Sequence, residues 1–360
     1  MTIFYMLLFG TFPLTLLARL SNKMNKYKRP EILLSLMVIT ALILVAGLRN
    51  GIGDTGAYKH FYDIVGKEPS MSIAVENAKD SYESGFTALF WILNQISHDP
   101  QLMIFVCAFI TNLLNLWTMR IYSKVFELEI YMYITSGFYL VTMNGIRQCL
   151  AAAVIFAATK YIVDGKFIKY TLVILLMSTI HSSTLVMIPV YFIVRCEAWS
   201  KTIIKIIIVA SIALIFSQPL IDTFFEASEG TKYEAYENTM ETEGGANPIR
   251  TAIAAVPVVL SYIYRDKIKK NWKESDIFVN MTLLSLIISI FSMINWVFNR
   301  FNIYFQIYSF ILLPYIVVNC FEKKDRKLIY AGFLACYFLF YYYDHVMAMG
   351  INYTSDFIKF

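Results

Sequence analysis

Charge is scarce in this chain of 360 residues: 16% are Asp, Glu, Lys or Arg, against about 25% in a typical soluble protein. With 58% hydrophobic residues, that shortage excludes an ordinary solvated domain. Cysteine is sparse too. Cys107, Cys149, Cys196, Cys320 and Cys336 are odd in number and far apart, which rules out a disulfide framework and a thiolate metal site. Histidine is limited to His60, His98, His181 and His345, too widely spaced to suggest a metal. With no H-E-x-x-H helix and no P-loop, zinc-dependent and ATP-driven chemistry fall away, and no cofactor is implied. A net charge of +5, scattered over separate loops, excludes nucleic acid as a partner. Gly51-Ile52-Gly53-Asp54-Thr55-Gly56 matches the dinucleotide pattern G-x-G-x-x-G letter for letter. An apolar span precedes it where a strand is needed, so the match is discarded.

What the chain does have is apolar blocks from end to end, each near the length that crosses a hydrocarbon core of about 30 Å, with the charges between them. Alternating barrel periodicity is missing, so the expected fold is all-α, a polytopic integral membrane protein of about twelve spans, some short or re-entrant. The spans are predicted at 2–20, 31–48, 101–121, 130–143, 148–163, 167–180, 182–194, 202–217, 249–264, 277–298, 301–319 and 328–343. The whole chain, 1–360, reads as a single membrane domain with two larger outer segments, 49–100 and 218–248. The first holds a short interfacial or re-entrant helix at 86–96, and the second is acidic. The N-terminal block reads as a retained span, because no basic residues precede it and no cleavage site follows.

The basic residues Lys23, Lys26, Lys28 and Arg29 put segment 21–30 in the cytoplasm by the positive-inside rule. Arg120/Lys124, Lys166/Lys169, Arg195/Lys201/Lys205, the 265–273 cluster and 323–327 then fall on that same side. The opposite side collects Arg49, Asp54, Asn144, Arg147, His181, Arg250, Asn299 and Arg300 at span ends. Ionisable groups at membrane depth are expensive and mark function by default. Arg49 reads either as a snorkelling end cap or, with the glycines at 51, 53 and 56, as part of an anion nest. Arg147 follows the break Asn144-Gly145 and falls in the first turn of the next helix, where free N–H groups and the dipole already favour an anion; a guanidinium there suits a phosphate or pyrophosphate. His181-Ser182-Ser183 interrupts an apolar stretch, as a core histidine at a bend or as a general base. Three arginines and few acids at the outer span ends suit a polyanionic headgroup better than a cation path.

Four patches carry a resemblance to a known family. They are Leu48-Arg49 with Ile52-Gly53-Asp54-Thr55 and Tyr58; Asn144 with Ile146-Arg147-Gln148 and Leu150-Ala151; Ile180-His181-Ser182-Ser183 with Pro189; and Arg300-Phe301 with Tyr304 and Leu312-Leu313-Pro314. In order and spacing they resemble the EpsG family, relatives of the Wzy-type polymerases of bacterial exopolysaccharide, capsule and O-antigen synthesis. The resemblance implies a membrane glycosyltransferase that joins oligosaccharide repeat units linked to undecaprenyl pyrophosphate, on the outer face of the bacterial cytoplasmic membrane, without a metal. Arg49, Arg147 and Arg300, with Gln148 and Asn144, would bind the pyrophosphate. His181 would be the base, with Asp54 or Glu83 as alternatives, and Tyr58, Glu83, Arg250 and Tyr304 would face the acceptor. The expected partners are the lipid-linked oligosaccharide, membrane lipids, and the flippase and chain-length regulator of the same pathway. A flippase of the same lipid-linked oligosaccharide is the rival reading, although it would want basic residues through mid-span as well. A sugar acyltransferase is a further rival, which leaves the three outer arginines unexplained.

Overall fold

Lipid offers a backbone no hydrogen-bond partner, so a chain this apolar satisfies its amides internally. The computed structural model describes residues 1–21, 29–215, 245 and 247–358, and these contain helices and no strand. In order they are α1 Thr2–Leu20, α2 Ile32–Gly47, α3 Thr55–Gly66, α4 Met71–Ala78, α5 Ser84–Ile96, α6 Gln101–Tyr122, α7 Phe126–Thr135, α8 Phe138–Asn144, α9 Ile146–Ala157, α10 Thr159–Val163 and α11 Phe167–Ser178. A 3-10 turn, Ser182–Val186, leads to α12 Met187–Val194, α13 Lys201–Ile215, α14 Pro248–Ile263, α15 Arg265–Asn271, α16 Ser275–Ser292, α17 Phe298–Asn302, α18 Gln306–Asn319 and α19 Arg326–Tyr341, which ends in a π-helical turn, Tyr342–Ala348.

Four helical stretches, Thr2–Leu20, Gln101–Tyr122, Ile146–Val163 and Ser275–Ser292, are long and apolar enough to cross a membrane, and five others are apolar but shorter. Several expected spans are broken. Segment 130–143 is two helices, α7 and α8, because Gly137 adopts φ +84° between them, a conformation costly for other residues. Its first helix also starts earlier and buries Glu127 and Glu129 completely. Glu127 can stay because Arg19 Nε lies 2.7 Å away and Tyr330 donates to it at 3.0 Å; Glu129 accepts the Lys124 and Val125 amides. Segment 301–319 likewise divides into α17 and α18. Most of the basic segment 21–30 and of the acidic segment 218–248 lies outside the described residues.

Apolar side chains left outside form stripes at helical spacing. Ile168, Leu172, Leu175 and Leu176 lie along one face of α11, and Ile204, Ile208, Val209 and Ile212 along α13. Such surface suits lipid and not water. Inside, α1 packs on α7, α2 on α6, α6 on α9, and α16 on α14 and α18. The segment α3–α5 has a second aromatic core of its own, including Tyr58, Tyr62, Phe86 and Phe90, which seats on α6 and the start of α9.

Contacts between loops define two ends. At one, Lys124 lies over Trp272, Arg195 donates to the Ile162 carbonyl, Lys269 pairs with Glu197, and Lys267 donates to the Cys320 carbonyl. These are the loops with the basic clusters. At the other, residues 49–55, 83, 147, 181–183 and 300 converge.

One junction at that second end is tight. The first amides of α5, Gly85 and Phe86, donate to the Thr179 carbonyl at 2.8 and 3.2 Å, so the end of α11 caps the start of α5. A Cβ on Gly85 would stand 2.8 Å from that carbonyl oxygen. Gly85→Ala is therefore expected to destabilise the protein by about 1–3 kcal/mol, read as a lower melting temperature in detergent. Gly10→Ala, where a Cβ meets nothing within 4 Å, should melt at or above wild type.

Candidate functional site

Glu83 precedes the first residue of α5 in an extended conformation, where an acidic side chain would ordinarily cap the helix. It does not cap α5, because Thr179 already does. Its carboxylate turns outward from its own helix and gathers three other groups. Oε2 accepts from Arg147 Nη1 at 2.6 Å, and Oε1 accepts from the Ser182 amide and hydroxyl, both at 3.1 Å. His181 Nδ1 lies 3.4 Å from Oε1. The side chains of Glu83, Arg147 and His181 are 10%, 16% and 19% exposed, so the cluster is largely withdrawn from solvent while each group keeps some accessible surface. Burial alone would raise the Glu83 carboxyl, but the His181 hydrogen bond, the Arg147 charge and the Ser182 amide outweigh it and hold the group well below the usual carboxylate range. Glu83 is ionised in the folded protein and a poor general base.

Arg147 occupies the first turn of α9, as expected. One guanidinium nitrogen serves Glu83, and the plane lies over Tyr82 at 4.9 Å and Phe86 at 5.9 Å. One residue on, Gln148 donates to the Arg300 carbonyl at 2.8 Å and to Ser183 Oγ at 3.4 Å. Ser183 Oγ also lies 2.8 Å from the Tyr304 hydroxyl. The second, third and fourth sequence patches therefore meet through short polar contacts across residues far apart in the chain. Arg300 itself is exposed and stacks over Trp296 at 5.1 Å; what the network holds is its carbonyl.

The first patch has a different part. Arg49 is 1% exposed. Its Nη2 donates to the Met143 carbonyl at 2.7 Å, Nη1 to the Ala46 carbonyl and Nε to Thr55 Oγ1 at 3.2 Å. Both carbonyls belong to helix C-terminal turns, whose partial negative charge a cation stabilises. Arg49 thus closes the ends of α2 and α8, a placement that fits the end-cap alternative and leaves its guanidinium engaged with the protein's own carbonyls. Asn144 Oδ1 accepts from the Asp54 amide at 2.8 Å and packs into the space that the side-chain-free Gly53, at φ +54°, leaves open. Asn144 thereby fixes the 51–55 turn. The Asp54 side chain is exposed at the start of α3, and no described contact brings it to His181 or Arg147. Tyr58 is buried edge-on against Phe86, in the aromatic core and not on the site's open face.

Beside this cluster is a cavity of about 430 Å³, whose wall includes Gly53, Asn144, Arg250, Asn299, Asn302 and Gln306. Arg250 makes a two-pronged pair with the buried Asp344, at 2.7 and 2.9 Å from Nη2. His345, fully buried next to it, has Nδ1 3.6 Å from Asp344 Oδ2. Sequence reasoning missed Asp344 and passed over His345. The signal available was an acid and a histidine together at the outer end of the last apolar block. Among the described residues no three His, Cys, Asp or Glu side chains converge as a metal site would require.

The fold and site define a multi-pass helical membrane protein with a polar, arginine-edged site at one end of its bundle. The chain belongs to the EpsG family, whose model matches residues 32–355, a family of membrane proteins related to the Wzy-like polysaccharide polymerases. It is accordingly a membrane protein of polysaccharide biosynthesis. No curated protein and no solved structure matches it.

Arg49→Lys keeps the charge and loses the fork that reaches two carbonyls. It should cost about 1.5–3 kcal/mol for each charged hydrogen bond lost, measured by thermal unfolding of the purified protein; an unchanged melting curve would remove the structural assignment.

Proposed function

We propose that this protein is a polysaccharide polymerase: a glycosyltransferase that moves a growing glycan from its lipid pyrophosphate onto a hydroxyl of the next lipid-linked repeat unit, on the outer face of the bacterial cytoplasmic membrane. The observation that carries the reading is the juxtaposition of Glu83, His181 and Arg147 at the N-terminus of α9. Transfer makes a bond between the acceptor oxygen and the anomeric carbon and breaks the bond from that carbon to the pyrophosphate oxygen. The acceptor hydroxyl must lose a proton, and the departing pyrophosphate gains charge.

Glu83 beside Nδ1 favours the tautomer with its proton on that nitrogen, leaving Nε2 to take the acceptor proton. Arg147 has donors beyond the one given to Glu83 and sits where the α9 amides also favour an anion. Preorganised charge of this kind at a leaving group is a large catalytic contribution. Arg300, exposed at the edge of the same network, is the second pyrophosphate ligand. Gln148 positions Arg300 through its carbonyl, and Tyr304 holds Ser183 beside the base. The positive-inside rule supports the orientation, since the basic loops gather at the end opposite the site. No step in this scheme requires a metal.

The test is a product-size assay in nanodiscs with an oligosaccharide linked to undecaprenyl pyrophosphate. Wild type should build a ladder of repeat units. His181→Ala should slow it about 10²–10⁴-fold, and Arg147→Lys about 10²-fold through loss of the planar fork. Movement of the intact lipid oligosaccharide with no ladder would assign the protein to the flippase class. Because the folded Glu83 is more acidic than its ordinary value of 4.5, its stabilising effect is complete above about pH 4.5 and lost only as pH falls toward the folded value. The melting-temperature difference between wild type and Glu83→Gln should therefore shrink as the pH falls below about 4.5.

A further inference from the structure

The Arg250 cavity does not end in solvent alone. Three of its wall residues, Ile253, Tyr337 and Phe340, also line a second space of about 460 Å³ with an almost wholly apolar wall that includes Leu260, Leu313, Val317 and Leu328. This groove lies where α14 and α19 both pack on α18 and not closely on each other. It follows α19 from Phe340 to Leu328, about 18 Å at about 1.5 Å per residue, away from the site end and toward the end with the basic loops. Val256 and Leu328, 45% and 74% exposed, are on its wall, so it opens sideways into the surroundings of the bundle, which for this protein are lipid.

The two spaces differ sharply in chemistry. In the cavity Asn144, Asn299, Asn302, Gln306 and several serines are set among apolar residues, with Arg250 the one charged side chain among its described wall residues; the groove wall is almost wholly apolar. A ligand suited to both has a hydroxyl-rich polar head, able to reach Arg250 beside its Asp344 partner, joined directly to a long apolar chain. We propose that the groove between α14, α18 and α19 holds the polyprenyl tail of the acceptor, the lipid-linked repeat unit whose phosphate and first sugars occupy the Arg250 cavity while the donor pyrophosphate lies at Arg147. The inference rests on the lipid-linked substrate of the proposed function and adds the place where its chain lies. An ordinary phospholipid fits less well, because its head stays at the interface and has no use for buried amides.

Cys336 lines the groove and is exposed, whereas Cys107, Cys149 and Cys320 are buried. In nanodiscs of the full chain, undecaprenyl phosphate alone at a few mole per cent should slow maleimide labelling of Cys336 several-fold, read by mass spectrometry, while the same amount of phosphatidylglycerol should not. No slowing, or equal slowing by phosphatidylglycerol, would overturn the proposal. Gly332 also lines the groove, and a Cβ there meets nothing within 4 Å, so Gly332→Trp should fill the groove without disturbing packing. It should abolish the protection while melting as wild type does; retained protection would count against the groove. Labelling needs no turnover: protection without any ladder keeps the groove and removes the polymerase, and a ladder without protection does the reverse.

Discussion

One carboxylate organises the site end of this molecule. Glu83 binds a guanidinium from α9 and a serine from the 3-10 turn, and touches the histidine before that turn. It can do so only because its own helix is capped from elsewhere, by the Thr179 carbonyl at the end of α11. The two interruptions, before α5 and after α11, cap one another: a carbonyl goes one way and a carboxylate the other. Removing the carboxylate would leave Arg147 mostly buried beside aromatic rings without its anion, the costly way to break such a pair. The same arrangement holds the imidazole and the guanidinium on one carboxylate, the two groups that the proposed transfer would use.

The all-helical membrane class was legible because lipid allows so few solutions, although only four of the described helical stretches are long and apolar enough to cross a membrane. Predicted blocks 2–20 and 101–121 coincide with α1 and α6 to within a residue, and the breaks at Asn144-Gly145 and His181 fall where polar residues interrupt apolar runs. Interior breaks were harder. Ser136-Gly137 is a turn signal that the apolar run around it outweighs, and Glu127 and Glu129 look like loop residues until Arg19, Tyr330 and two backbone amides are seen to hold them.

Roles were less legible than places. Arg49 and Arg147 share a motif context, an arginine next to a glycine-bearing break, yet one is sealed over two carbonyls and the other faces an open cluster. The difference lies in partners 94 and 64 residues away, which spacing cannot supply: Met143 for Arg49 and Glu83 for Arg147. Asp54 looked catalytic beside Arg49, but what Asn144 holds is its amide, and its side chain points out. Asp344 and His345 escaped because the last apolar block seemed to end in aromatics, while the structure folds the chain beyond it back against α2, with Tyr353 donating to the Val45 carbonyl.

The central claim is that the donor pyrophosphate sits between Arg147 and the α9 N-terminus, with the reacting carbon facing His181. The most direct measurement is a cryo-electron-microscopy structure of the protein in nanodiscs with an undecaprenyl-pyrophosphate-linked oligosaccharide. Phosphate density within hydrogen-bond distance of the Arg147 guanidinium, with the first sugar toward the imidazole, is the expected result. Pyrophosphate density among the basic loops at the opposite end, with the Glu83 cluster unoccupied, would contradict it.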